Sequence, residues 1–182
     1  MTISQKLFAN SYDLLNTLVE WRISSYRRST AGQAVGSVLE IGFGTGSNLW
    51  FAAREGFSVY GIEGSKSAVK IAQKMFSQDN LSAELKVGDF TDYFSYDNEM
   101  FDLVIDRAAL CCVGKQNQVG IIREVQRVLK TNGKFYYQGY ADNHFSNHSG
   151  IESEDGLKVD ISDGTLIGCG QLYFPSMEDI IY

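Results

Sequence analysis

Residues 38–48 read VLEIGFGTGSN: a short apolar strand with an acid near its end, three glycines at alternate positions, and the start of a helix. Glycine has no Cβ, so Gly42, Gly44 and Gly46 let the backbone turn sharply. Main-chain N–H groups and a helix N-terminus can then press against a ligand. That order predicts a chain that holds a nucleoside-bearing cofactor. The spacing narrows the choice, because a dinucleotide fold of the G-x-G-x-x-G type would place its third glycine at position 47, where this chain has Ser47.

The pattern around this run alternates between strand and helix. Strands are expected over 38–41, 58–63, 83–87, 101–106 and 134–140, with helices over 47–55, 65–76 and 116–129 between them. The last helix is read with Val119, Ile122, Val125 and Leu129 on its apolar stripe, and residues 131–133 as the turn that follows it. Such alternation implies an α/β fold: a doubly wound, mostly parallel sheet with helices on both faces and right-handed crossovers. Upstream, apolar and aromatic residues at helical spacing over 5–28 predict one or two amphipathic helices. The expected division is therefore an N-terminal helical cap over 1–37 and a cofactor-binding core over 38–140. Residues 141–182 follow as a loop or lid rich in Asp, Asn, Ser and Gly, ending in the start of a further helix.

Each strand end offers a group that a nucleoside ligand can use. Glu40 stands beside the glycine turn, and Glu63 ends the second strand about 20 residues on, where an acid binds ribose hydroxyls in such folds. Asp89 and Phe90 follow the third strand, an acceptor for an adenine amino group next to an aromatic that can cover a purine face. Asp106 and Arg107 end the fourth strand, where cofactor and substrate should meet. Asp106 is read as a contact to a cofactor ammonium, a structural acid or a general base; Arg107 as a partner of Asp106 or of a substrate carboxylate. His144 and His148 lie just past the fifth strand, either as bases active near neutral pH or as plain loop histidines, and Tyr137 and Tyr140 share that ambiguity.

The form E-x-G-x-G-x-G after a strand, with Glu63, Asp89-Phe90 and Asp106-Arg107 in that order, resembles the class I (Rossmann-like) S-adenosylmethionine-dependent methyltransferases over roughly the central 100 residues. The resemblance implies that Glu40, Gly42, Gly44 and Gly46 line the methionine and ribose end of the cofactor. It implies Glu63 on the ribose, Asp89 and Phe90 on the adenine, and Asp106 and Arg107 near the methionine moiety and the acceptor. The activity it implies is methyl transfer to an O or N atom of a small molecule, leaving S-adenosylhomocysteine, with Asp106 and His144 as candidate catalytic groups. Members of that family usually have seven strands; five are counted here, so the last two are expected to be missing and the chain to be a truncated piece. An NAD(P)-dependent oxidoreductase and a noncatalytic cofactor-binding fragment are the competing readings.

Composition bounds the partners. A net charge of -6 disfavours a protein that clings to phosphate backbones, despite the local cluster Arg22, Arg27 and Arg28. No apolar stretch approaches membrane-span length, so no membrane partner is expected. Cys111, Cys112 and Cys169 form an odd count without metal-ligand spacing, and there are only two histidines. These counts predict a reduced, cytoplasmic protein with no metal. Tyr12, Trp21 and Tyr26 are read as packing the N-terminal helix or closing over the cofactor.

Overall fold

A computed structural model describes residues 36–181. The expected N-terminal helices, with Tyr12, Trp21, Tyr26 and the three arginines, lie outside the described residues. The chain runs β1 (Ser37–Ile41), α1 (Ser47–Arg54), β2 (Ser58–Glu63), α2 (Lys66–Gln78), β3 (Glu84–Val87), β4 (Phe101–Arg107), α3 (Lys115–Val128) and β5 (Leu129–Gln138). These five strands form a parallel sheet in the order β3-β2-β1-β4-β5. The doubly wound α/β fold expected from the strand and helix alternation is therefore the fold observed.

Alternation of side chains along the central strand builds two cores. Leu39 and Ile41 pack on one face with Val104 and with Ile121, Val125 and Val128 of α3. Val38 packs on the other with Val59, Ile105, Leu49 and Ala52 of α1, and Val69, Ala72 and Phe76 of α2. A strand covered on both faces must be apolar on both, and VLEI in β1 is, apart from Glu40. Ser65 caps α2 by accepting the Ala68 N–H at 3.3 Å.

Two elements differ from expectation. The stripe on α3 is Ile121, Val125 and Val128, while Val119 and Ile122 are 51% and 42% exposed. The segment VGIIREVQRVL contains two overlapping apolar stripes, and packing on the sheet selects one of them. The fifth strand begins at Leu129 rather than at 134, and ends at Gln138 rather than at 140. Phe101 pairs with Leu129 but Leu103 pairs with Lys134, so residues 130–133, which include the expected turn at 131–133, loop out within the strand with Asn132 at φ 68°.

The connection from β3 to β4 carries Phe94 and Tyr96 into the core and is held by one guanidinium. Arg127 of α3 donates to the carbonyls of Phe94 and Tyr96, each at 2.9 Å, and to Asn98 at 2.8 Å, while pairing with Glu124. Glu124 in turn accepts the Phe94 N–H at 3.0 Å. After β5, β6 (Ile151–Glu152), β7 (Leu157–Val159) and β8 (Leu172–Tyr173) form a small antiparallel sheet, followed by α4 (Met177–Ile181). Ile161, Leu166, Leu172 and Phe174 pack there against Cys111, which seats this segment over the turn that follows β4. Asp155 accepts the Gln116 N–H at 2.9 Å, tying it also to the first turn of α3.

Replacing Arg127 by Met keeps the aliphatic stem but leaves two carbonyls and Glu124 without their donor. A loss of about 2–3 kcal/mol, the worth of a charge-assisted hydrogen-bond set, is expected in urea unfolding.

Candidate functional site

The strand order reverses direction between β1 and β4, and the loops leaving these two strands part to opposite faces of the sheet. The glycine turn fills that switch point. Gly42, Gly44 and Gly46 have φ of 61°, 56° and 82°, the left-handed region that favours glycine. The Gly42 N–H donates to the Ile62 carbonyl at 2.8 Å and the Gly46 N–H to the Phe43 carbonyl at 2.9 Å, so the turn is stitched to β2 and to itself. A Cβ on Gly42 would collide with that of Ala109, two residues past the end of β4. Gly44 differs: nothing lies within 4 Å of where its Cβ would be, so this side of the turn faces open space.

Glu63 braces the turn from the end of β2. Its Oε2 accepts the Gly44 N–H at 2.8 Å and its Oε1 the Ser65 N–H at 2.7 Å, linking the glycine turn to the start of α2. Glu63 is half-buried. Phe90 is half-buried and lies beside Gly42. Asp89 is exposed, with Oδ1 engaged locally by the N–H and hydroxyl of Thr91 at 2.9 and 2.8 Å.

Two acids are buried behind the turn. Glu40 is 2% exposed; Asn48 of α1 donates to its Oε1 at 2.7 Å, and its Oε2 is buried without a partner. Burial pushes its carboxyl up to about 8, against the Asn48 hydrogen bond and the charge of nearby Arg107. Asp106 is fully buried, and its Oδ1 accepts the N–H groups of Ala109 and Leu110 at 3.1 and 2.9 Å. It thereby folds the segment that covers Gly42. Burial raises its carboxyl to about 6, the two backbone donors opposing, and Oδ2 has no partner. The two backbone bonds are those of a structural acid, one of the readings the sequence leaves open for Asp106. Arg107 is half-buried at the end of β4, where its charge also reaches Tyr136 and Tyr140.

His144 stands past β5 among aromatics, 5.3 Å from the Tyr140 ring and 6.0 Å from that of Phe174. Its Nδ1 accepts the Ser146 N–H at 3.1 Å, which places the proton of the neutral ring on Nε2. Acting as a base therefore requires this bond to break first. His148 is exposed, and Tyr137 packs into the core under β5. Cys111 is buried, Cys112 half-buried and Cys169 exposed, all free. Among the described residues no group of His, Cys, Asp or Glu is arranged to hold a metal ion, and no helix is long and apolar enough to cross a membrane. Sequence reading missed Asn48, Ser65 and Ala109. Asn48 sits two residues beyond the last glycine, a signal visible in the sequence, whereas Ala109 carries none.

A family model described as a methyltransferase domain matches residues 38–133. Demethylmenaquinone methyltransferases of two Tropheryma whipplei strains are each 27% identical over 132 residues, covering 69% of this chain and 53% of their own length. The chain thus spans about half the length of these curated relatives. Among solved structures, a protein from Pyrococcus horikoshii OT3 superposes with a TM-score of 0.71 at 19% identity, over 96% of this chain and 78% of that one. An S-adenosylmethionine-dependent methyltransferase from Methanosarcina mazei does so with a TM-score of 0.69 at 23% identity, over 87% and 79%. At these identities the structural likeness shows a shared fold.

Alanine at Gly44 meets no neighbour and is expected to cost only the backbone strain, about 1–2 kcal/mol. Alanine at Gly42 adds the collision with Ala109, for a further ~1–3 kcal/mol. Urea midpoints of the two variants measured side by side should rank in that order.

Proposed function

Because the chain belongs to the family of S-adenosylmethionine-dependent methyltransferase domains, we propose that it transfers a methyl group from S-adenosylmethionine to an oxygen or nitrogen atom of a small molecule. The observation that carries this reading is the open side of the glycine turn at Gly44, braced by Glu63 where β1 and β4 part. The residues present fit the cofactor. The turn has no Cβ on its open side, Glu63 keeps lone pairs for hydroxyl donors, Phe90 offers a ring face, and Glu40 and Asp106 hold unpartnered buried oxygens behind the turn. In this reading Gly42, Gly44 and Gly46 lie along the methionine and ribose end, Glu63 takes the ribose hydroxyls, and Asp89 and Phe90 hold the adenine. Glu40, Asp106 and Arg107 set the charge at the amino-acid end.

The cofactor brings an already activated sulfonium methyl, so the chain has little covalent chemistry to perform. Its residues bind, orient and exclude water, so that an acceptor lone pair meets the methyl in line. Asp106 contributes by fixing the segment through Ala109 and Leu110 that closes the turn. The aromatic group of Tyr140, His144 and Phe174 at the end of β5 walls the side where the acceptor enters, with His144 donating through Nε2 unless it frees Nδ1 to take a proton. The name of the Tropheryma enzymes, which refers to demethylmenaquinone, supports a small-molecule acceptor.

Titration calorimetry of the chain with S-adenosylhomocysteine tests the cofactor assignment, and saturable binding is expected. Glu63→Ala should weaken it by about tenfold or more, the worth of one charge-assisted contact. Equal binding by the variant removes the ribose assignment, and selective binding of NADH in its place removes the methyltransferase reading.

A further inference from the structure

Three thiols that the cofactor site does not use lie where the C-terminal segment meets the end of β4. Cys111 is buried among Ile161, Leu166, Leu172 and Phe174, and Cys112 is half-buried at the edge of the same cluster. Leu166 and Leu172 also anchor the two ends of an exposed loop, residues 167–171, with Cys169 at its middle. Gln171 donates from that loop to the Cys112 carbonyl at 2.9 Å, and Cys169 is two residues away from it, a reach of at most about 7 Å along the chain. Tyr140 packs against the cluster from beyond β5; burial raises its phenol, and Cys111, Cys169 and Cys112 are all near enough to raise it further. One ring thus borders both Cys112 and Cys169. Glycines flank Cys169 on both sides, Gly168 and Gly170 at φ of 75° and 78°, and neither has a neighbour within 4 Å of where a Cβ would stand. The loop therefore has room to move. The two thiols differ in kind: the Cys111 thiol hydrogen-bonds to that of Cys112 and holds it below the ordinary thiol range, against partial burial and the charge of Asp106, whereas Cys169 is open to solvent.

We propose that Cys112 and Cys169 are a reversible disulfide pair, closed by a peroxide, that pins the 167–171 loop to the turn after β4. Cys112 attacks one peroxide oxygen, the O–O bond breaks, and a sulfenic acid and water form. The Cys169 thiol then attacks the Cys112 sulfur; the S–O bond breaks, the S–S bond forms, and the oxygen leaves with a proton as water. Two thiols are oxidised and one peroxide is reduced to two waters. A disulfide needs its Cα atoms within about 4.4–6.8 Å, so the loop closes onto the turn as the bond forms. Cys111 stays out of the exchange because its side chain is fully buried in the cluster. Closure also fixes the residues around Ala109, which covers Gly42, so oxidation stiffens the cover of the glycine turn.

The test treats the reduced full chain with a slight excess of hydrogen peroxide at about pH 7, blocks the remaining thiols with N-ethylmaleimide, and maps the peptides by mass spectrometry without reduction. Free thiols should fall from three to one, with the Cys112 and Cys169 peptides joined, Cys111 alkylated, and the link undone by dithiothreitol. Limited proteolysis within residues 167–171 should slow on oxidation and recover with dithiothreitol. Cys169→Ser changes an exposed loop residue and leaves the core intact; it should hold Cys112 as a sulfenic acid that dimedone labels. A bridge between Cys111 and Cys112, a Cys169 bridge between two chains, or three free thiols after treatment overturns the proposal. So does a Cys169→Ser chain in which dimedone labels nothing at Cys112, or a bridge that leaves cleavage of the loop unchanged.

Discussion

The parallel pairing of β1 with β2 on one side and β4 on the other is the constraint on which everything else in this protein depends. It buries β1 on both faces, which requires Val38, Leu39 and Ile41 to be apolar. It also brings three strand ends to one edge of the sheet, so that residues far apart in sequence, Gly44 and Glu63, become hydrogen-bond partners at 2.8 Å. A turn leaving such a strand has little room, and the backbone passes only because position 42 has no side chain to strike Ala109. The site is thus a product of close packing as much as of polar chemistry.

Against that apolar background the buried acids stand out. Asp106 has a visible structural return, since one oxygen organises two backbone N–H groups and so fixes the cover of the glycine turn. Glu40 has only Asn48. A buried carboxyl with an idle oxygen costs stability that packing elsewhere must offset, and sites that bind a charged ligand are where such costs are tolerated.

Much of the core was legible from the chain itself. Strong punctuation by glycines and acids marked β1, β2 and β4, and these elements came out within a residue of their expected bounds. Where the local pattern was degenerate, it failed. The α3 sequence offers two apolar stripes, and only contact with the sheet chose Ile121 over Ile122. Residues 129–133 read as helix end and turn because Thr, Asn and Gly favour turns, yet Leu129 pairs with Phe101 before the chain loops out. The short strands β6–β8 are two or three residues long, below the length at which alternation is detectable, and they exist through tertiary pairing.

The sequence alone determined the parallel α/β class, the place of the glycine turn and the acids near it, because glycine freedom and hydrophobic period are local properties of the chain. Only the tertiary structure decided what each acid does. Whether a carboxylate is braced by backbone N–H groups like Glu63, spent on a turn like Asp106, or left half-satisfied like Glu40 depends on donors that other segments bring within about 3 Å. Burial and partner geometry, and through them protonation, are properties of the packed molecule, which no window of sequence contains.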